Sequence, residues 1–251
     1  MVIIGHASMD ERGKISGGKS GDQTGREVCS RAWYKNGWKI LLRPLSSEIA
    51  ERSAVACERG CANPNIGYDQ KQRNTAYLQA QKTNYDLSKI TTPCETDCSA
   101  FMTLCAIAAG VKSLEYVGNA PTTTTMRNKF VSSGYYKALT EDKYLNSSNY
   151  LKRGDILVNP GRHTVMVLND GDRADVRGNV SITTFTILKR GSSGDNVKRL
   201  QIALNDAGAR IKIDGKFGKE TFEAVCAFQR AYQLGVDGEA GPITLAALGL
   251  L

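Results

Sequence analysis

A twelve-residue pattern occurs twice near the C-terminus, displaced by 23 residues, and it limits what that part of the chain can become. Asp214-Gly215-x-x-Gly218-x-x-Thr221-x-x-Ala224-Val225 is followed by Asp237-Gly238-x-x-Gly241-x-x-Thr244-x-x-Ala247-Leu248. Every matched position moves by the same interval, so the pattern is an internal repeat. Each Asp-Gly pair marks a tight turn whose glycine can take positive φ. A helical pattern follows each turn: Thr221, Ala224, Val225 and Phe228 fall on one face. Pro242 sits at the first helical position of the second copy, where its missing N–H costs nothing. Upstream, Val197, Leu200 and Leu204 make a further apolar stripe from about Ser193 to Gly208, with Gly208 as C-cap. Residues 187–251 are therefore expected to form three short helices around one small core.

The full 251 residues leave room for a second, larger domain ahead of this tail. A hydrophobic content of 41% with 23% charged residues describes an ordinary globular chain. No apolar run reaches the length of a membrane span. The N-terminus, Met1-Val-Ile-Ile-Gly-His-Ala-Ser8, has no basic segment before its apolar patch and does not read as a secretory signal. The expectation is a monomeric protein made in the cytoplasm, without stable membrane insertion. Formal net charge is +8, and the tail, with nine Lys/Arg against seven Asp/Glu, leaves +6 of it on residues 1–186. Such a surface favours polyanions. No basic tract with interleaved aromatics is visible, so nucleic acid is not an expected partner. The seven cysteines are an odd count without an export signal, which predicts free thiols. Cys57-x-x-x-Cys61 and Cys94-x-x-x-Cys98 have a spacing open to a metal. With two histidines in the chain and an apolar helix after Cys98, structural zinc is the lesser reading, and no cofactor is expected.

Residues 1–169 read as helices with an antiparallel sheet, and 170–186 as a polar linker with a brief strand at Val180–Thr186. A glycine-rich loop runs from Gly13 to Gly25. Val28–Tyr34 and Trp38–Leu42 read as two strands of a hairpin joined at Asn36-Gly37. Ser46 or Ser47 caps a helix reaching about Cys61, and a second helix is expected from about Asp69 to Lys82. Ten small or apolar residues after Ser99 predict a buried helix ended by Gly110. A short helix is expected over Thr123–Ser133. Gly154–Val158 and His163–Leu168 read as a hairpin around Pro160-Gly161.

The chemistry centres on Cys98, where a loop enters the buried helix. Free backbone N–H groups there favour a thiolate over a thiol. A thiolate nucleophile for acyl transfer needs a base beside it. The two histidines are His6 and His163, and His163, opening a strand directly after a turn, can project toward a helix terminus. Asp97 beside the nucleophile serves the turn. Taken singly, a cysteine heading an apolar helix is a small core residue and a histidine at a turn a surface group. Their order and company make the pair a candidate Cys–His site.

The tail, through Leu188-Lys-Arg-Gly-Ser-Ser-Gly-Asp-Asn-Val-Lys-Arg-Leu-Gln201 and Ala227-Phe-Gln229, closely resembles the peptidoglycan-binding domain of many bacterial and phage cell-wall hydrolases. Asp97-Cys98-Ser99 before an apolar helix, then Arg153-Gly154-Asp155, then His163, resembles the papain-like cysteine peptidases of cell walls, the NlpC-type and CHAP-type hydrolases. Gly21-Asp-Gln-Thr-Gly-Arg-Glu-Val28, Arg31-x-Trp33-Tyr34 and Ile66-Gly-Tyr-Asp-Gln70 resemble the catalytic half of phage endolysins from Gram-positive hosts. The resemblance implies an α+β papain-like domain over 1–169 and a peptidoglycan-binding three-helix domain over 187–251. It implies an endolysin that waits in the cytoplasm and cleaves a stem-peptide amide of the wall, with Cys98 attacking and His163 protonating the departing amine. The amidase bond between stem and muramic acid, and a non-catalytic wall-binding protein, are the alternatives. Those families orient the histidine with a third polar residue on a following strand, and here Leu168 leads straight into Asn169-Asp170. Asp22 is the first choice for that third member, with His6, Asn169, Asp170 or a backbone carbonyl in its place. Tyr68 is a candidate lining residue of the substrate cleft.

Overall fold

In the computed structural model, which describes residues 1–174, 187–232, 234–248 and 250, the apolar start of the chain is a strand, β1 (Ile3–Ala7). It lies inside a sheet with β2 (Val28–Ala32), β3 (Ile40–Pro44), β6 (Tyr136–Leu139), β7 (Ile156–Asn159) and β8 (His163–Val167). Among the described residues the strand order is β2-β1-β8-β7-β3-β6, antiparallel throughout. A parallel pair, β4 (Ile66–Tyr68) and β5 (Cys94–Thr96), stands apart. Period-two alternation drives β7 and β8. Ile156, Val158 and Met166 go to one core; Leu157, Val165 and Val167 go to another on the opposite face.

The β7–β8 hairpin forms as the sequence predicts, with Asn159 opposite His163 and Gly161 at φ +74° in the turn. The hairpin expected at Asn36-Gly37 does not form. Gly37 takes positive φ, yet β1, β8 and β7 stand between β2 and β3. Two burials account for this. β1 takes the partner edge of β2, and Trp38 is buried among Val2, Ile4, Leu41 and Leu157, which carries the chain across the sheet instead of back along it.

Ser46 caps α1 (Ser47–Cys61), its hydroxyl accepting the N–H groups of Glu48 at 3.2 Å and Ile49 at 3.5 Å. The next helix, α2 (Thr75–Lys82), starts later than the expected Asp69. Asp69 spends its carboxylate on the N–H groups of Lys71, Gln72 and Gly17, which closes a turn instead of a helix. The buried helix α3 (Cys98–Ala108) is capped by Asp97, whose Oδ1 accepts the Ala100 N–H at 2.7 Å. Gly110 ends it at φ +107°. It packs with α1 against the Ile156/Met166 face of the sheet. Two short helices, α4 (Met126–Ser132) and α5 (Asp142–Leu145), complete this unit.

Arg153-Gly154-Asp155 is structural. Arg43 grips the buried Asp155 through Nε at 2.8 Å and Nη2 at 2.5 Å. Arg153 bridges Glu51 and Glu58 of α1. Gly154, at φ +85°, lies against the Ala50 backbone, where a Cβ would sit 2.6 Å from Ala50 Cα.

The chain divides into two compact units, Met1–Arg177 and Gly178–Leu251. The second has three helices among the described residues, α6 (Asp195–Asp206), α7 (Lys219–Ala231) and α8 (Pro242–Ala247), around Val197, Leu200, Leu204, Phe217, Val225 and Phe228. The strand expected at Val180–Thr186 lies outside the described residues. The repeat encodes more than turns and core. Buried Gln229 donates to Asp237 Oδ1 at 2.7 Å, Glu239 O at 3.0 Å and Thr244 Oγ1 at 3.0 Å, and accepts the Gly238 N–H at 3.0 Å. Gln201 repeats every contact with Asp214, Lys216, Thr221 and Gly215. One amide thus locks each turn. Gln229→Leu removes those bonds and strands buried acceptors, so the melt of this unit in the full chain should lose about 2–4 kcal/mol. Exposed Lys198→Gln, measured beside it, should change stability by less than about 0.5 kcal/mol.

Candidate active site

The N-terminus of α3 and the start of β8 converge. Cys98 sits in the first turn of the helix and His163 is the first residue of the strand. Because β1 pairs with β8, His6 is delivered to the same place. His6 Nδ1 lies 3.4 Å from His163 Nε2, with the rings edge to face. Trp38 stacks on His163 with ring centroids 6.3 Å apart. On its other nitrogen, His6 Nε2 lies 3.5 Å from Sγ of Cys29, its cross-strand partner on β2.

Burial dominates the electrostatics. It lowers His163 to about 4, assisted by Arg31, and lowers His6 to about 4, assisted by its neighbour His163. Both imidazoles are therefore neutral near pH 7, and one hydrogen bond joins them. The Cys98 thiol is pushed up to about 12 by burial first and the adjacent Asp97 second. Backbone hydrogen bonds from Thr164 and Ser99 and the charge of Arg73 act the other way and do not prevail. The expectation that the helix terminus favours a thiolate is thus corrected: at rest the group is a thiol, because desolvation outweighs the helix N–H groups.

Asp22 does not join the histidines. Its Oδ1 accepts the N–H groups of Thr24, Gly25 and Arg26, and its Oδ2 those of Glu27 and Val28. Both oxygens are committed to shaping the glycine-rich loop. Asn169 Oδ1 accepts the Ile3 N–H, and Asp170 Oδ1 accepts that of Arg153, so neither orients His163. His6 is the residue among these whose ring contacts His163. Tyr68 is buried, its hydroxyl bonded to Gln70, and it shares electrostatic reach of Cys98 with Tyr34. A cavity of about 880 Å³ opens beside His6 and Cys29, walled also by Ser8, Glu11, Arg26 and Arg31. Of the paired cysteines, Cys94 donates its Sγ–H to Asn65 O at 3.4 Å. Among the described residues, no group of three His, Cys, Asp or Glu side chains is disposed to hold a metal ion.

Residues 4–174, carrying every residue of this constellation, match the endolysin-like domain family. The chain belongs to that family. Residues 193–248 match a peptidoglycan binding domain. The zinc D-Ala-D-Ala carboxypeptidase of Streptomyces albus G is 50% identical over 60 residues, 23% of this chain and 24% of that protein. The N-acetylmuramoyl-L-alanine amidase CwlL of Bacillus licheniformis is 45% identical over 75 residues, 28% of this chain and 21% of that protein. The chain thus spans about a quarter of the length of these curated relatives. Among solved structures, the Burkholderia AP3 phage endolysin is 44% identical over 25% of this chain and 24% of its own, with a TM-score of 0.25. A peptidoglycan-binding protein from Clostridioides difficile is 27% identical over 54% of this chain and 66% of its own, with a TM-score of 0.26. No geometry is carried over at such scores. No helix among the described residues is long and apolar enough to cross a membrane.

Proposed function

We propose that this chain is a cysteine hydrolase of peptidoglycan, with Cys98 as nucleophile, His163 as its base and His6 as the group that orients the base. The observation that carries this reading is the 3.4 Å contact of His6 Nδ1 with His163 Nε2, at the strand end that meets the N-terminus of α3. With His163 Nε2–H donating to His6, Nδ1 of His163 is left unprotonated and takes the proton of the Cys98 thiol. Sγ attacks the amide carbonyl, and the backbone N–H of Cys98 helps hold the oxyanion. His163 then protonates the departing amine. Water, losing its proton to His163, attacks the thioester; the C–S bond breaks, the acid is released, and His163 returns the proton to the departing Sγ. A resting neutral pair means that charge develops only as the reaction proceeds.

The pH dependence follows from the sign of the shift. His163 is lowered from 6.5 to about 4, so it stays an unprotonated base through the neutral range and loses that role only as pH falls toward 4. The rate of fragment release should hold to about pH 5 and fall below it. An acid limb at the ordinary histidine value would contradict burial as the controlling cause.

The repeat-bearing tail supports a wall substrate: anchoring on an insoluble polymer makes each further encounter effectively intramolecular. Zinc appears in the name of one relative, but the residues near Cys98 offer no matching donor set, and no step here runs through a metal. Both bonds call for the same Cys–His chemistry and the residues do not separate them; the stem-peptide amide is the bond we propose, and the amidase bond is the one the name of CwlL favours. Digestion of purified Gram-positive peptidoglycan separates them. A new amino terminus within the stem names an endopeptidase, and a new N-terminal L-alanine names an amidase. A second reading makes Cys29 the nucleophile, because it lines the cavity 3.5 Å from His6 Nε2. It lacks the helix N-terminus that Cys98 has.

A further inference from the structure

We propose that Arg73 is a positioning residue for Cys98, holding Asp97 and Ser99 so that the first turn of α3 presents the thiol beside an ion-paired carboxylate. This rests on the reading of Cys98 as nucleophile. Arg73 is buried just ahead of α2, 24 residues from Asp97 in sequence. Its Nε donates to Asp97 Oδ2 at 2.6 Å, and Nη2 to Asp97 Oδ1 at 3.1 Å and Ser99 Oγ at 2.7 Å. Nη1 donates to Ala120 O at 2.9 Å and Nη2 to Pro121 O at 3.1 Å, which fix the guanidinium from behind. The fork therefore grips the residues on both sides of Cys98 and leaves it between them.

The arrangement resolves a conflict in the sequence. An aspartate is a strong N-cap, and Asp97 Oδ1 caps Ala100. A carboxylate one residue from a nucleophilic thiol also opposes formation of the thiolate. Arg73 offsets part of that charge, and Oδ1 accepts from both the guanidinium and the Ala100 N–H it caps. Tyr68 from β4 and Tyr34 from the segment after β2 lie within electrostatic reach of the thiol, and His163 opens the strand whose Thr164 N–H bonds to it. Both tyrosines are raised by burial and neutral, as is His163, so none of them replaces the Arg73 charge. Arg31 acts on the two histidines and stacks on Tyr34, 4.9 Å from the ring centroid.

Alkylation by iodoacetamide, followed in the folded full chain at the Cys98 peptide by mass spectrometry, tests this. Arg73→Gln should slow alkylation at pH 8 about threefold to tenfold, the effect of exposing the thiol to an uncompensated carboxylate. Adding Asp97→Asn, which keeps the cap and removes the charge, should return the rate to about twofold of wild type. Arg73→Lys should lie between. A purely structural role loosens the turn, so an unchanged or faster rate in Arg73→Gln, or a double variant as slow as the single, overturns the proposal. Should Arg73→Gln fail to fold, Asp97→Asn alone decides: faster alkylation supports the proposal, and an equal or slower rate overturns it. Wall release retained by a Cys98→Ala variant would instead overturn the nucleophile assignment, whatever the alkylation rates.

Discussion

Replacing Cys98 with alanine should reduce release of soluble wall fragments by at least about ten-thousand-fold while binding to the wall persists. In the proposed mechanism the sulfur forms and breaks the bond to the acyl group, and alanine has no atom to take its place. The fold has little reason to fail. The substitution removes one buried atom from a helix whose cap, Asp97 to Ala100, is untouched. A stability change of about 1 kcal/mol is the expected scale, so loss of release can be read as loss of chemistry. Wall binding is assigned to residues 193–248, which carry the repeat and match a peptidoglycan binding domain. Sedimentation with insoluble wall should therefore be unchanged. Retention of more than a tenth of the wild-type release rate would sink the assignment.

Arg43→Met should cost the N-terminal unit about 3–5 kcal/mol, the largest stability effect expected in this chain. Asp155 is fully buried, and Arg43 supplies its counter-charge through two hydrogen bonds while also donating to Tyr150 O at 2.9 Å. Without the guanidinium, a buried carboxylate remains where β3 meets β7 with the Lys152 N–H, at 2.7 Å, but without its main counter-charge. Burial already pushes the Asp155 carboxyl up, and Arg43 is the main opposing influence. In the variant the carboxyl must bind a proton to stay buried. Its folded-state pKa then lies further above the unfolded value, so the deficit grows as pH rises above that value. Urea melts of Arg43→Met should lie closer to wild type at pH 5 than at pH 8. Arg43→Met with Asp155→Leu should recover most of the loss, since no charge is then left buried. A loss below about 1 kcal/mol at pH 8 would show the pair to be solvated.

What could be read from the sequence is what is decided locally. Ser46 announces α1 and Gly110 the end of α3, because a cap or stop and the residues it serves are neighbours in the chain. The turn at Gly161 fixes the β7–β8 hairpin for the same reason, and with it the position of His163. The misreadings share a different cause. Asn36-Gly37 carries a hairpin signal, yet the partners of β2 and β3 are chosen by distant apolar strands and by the burial of Trp38. His6 and His163 are 157 residues apart and meet only because β1 pairs with β8. Asp22 attracts a catalytic reading as an acid in a glycine-rich loop. Short Asp side chains in such loops bind the nearby backbone N–H groups first, and this one binds five. Arg73 and Gln229 carry no motif signal, since their roles exist only through partners that folding supplies.

The central claim is that Cys98 carries the acyl group. The most direct measurement mixes the protein with soluble peptidoglycan fragments, quenches in acid within one turnover, and maps the added mass by tryptic digestion and mass spectrometry. The account predicts the mass of the acyl fragment on the Cys98 peptide, absent after Cys98→Ala and retained after Cys29→Ala. The same mass on the Cys29 peptide, or fragment release with neither thiol modified, would contradict it.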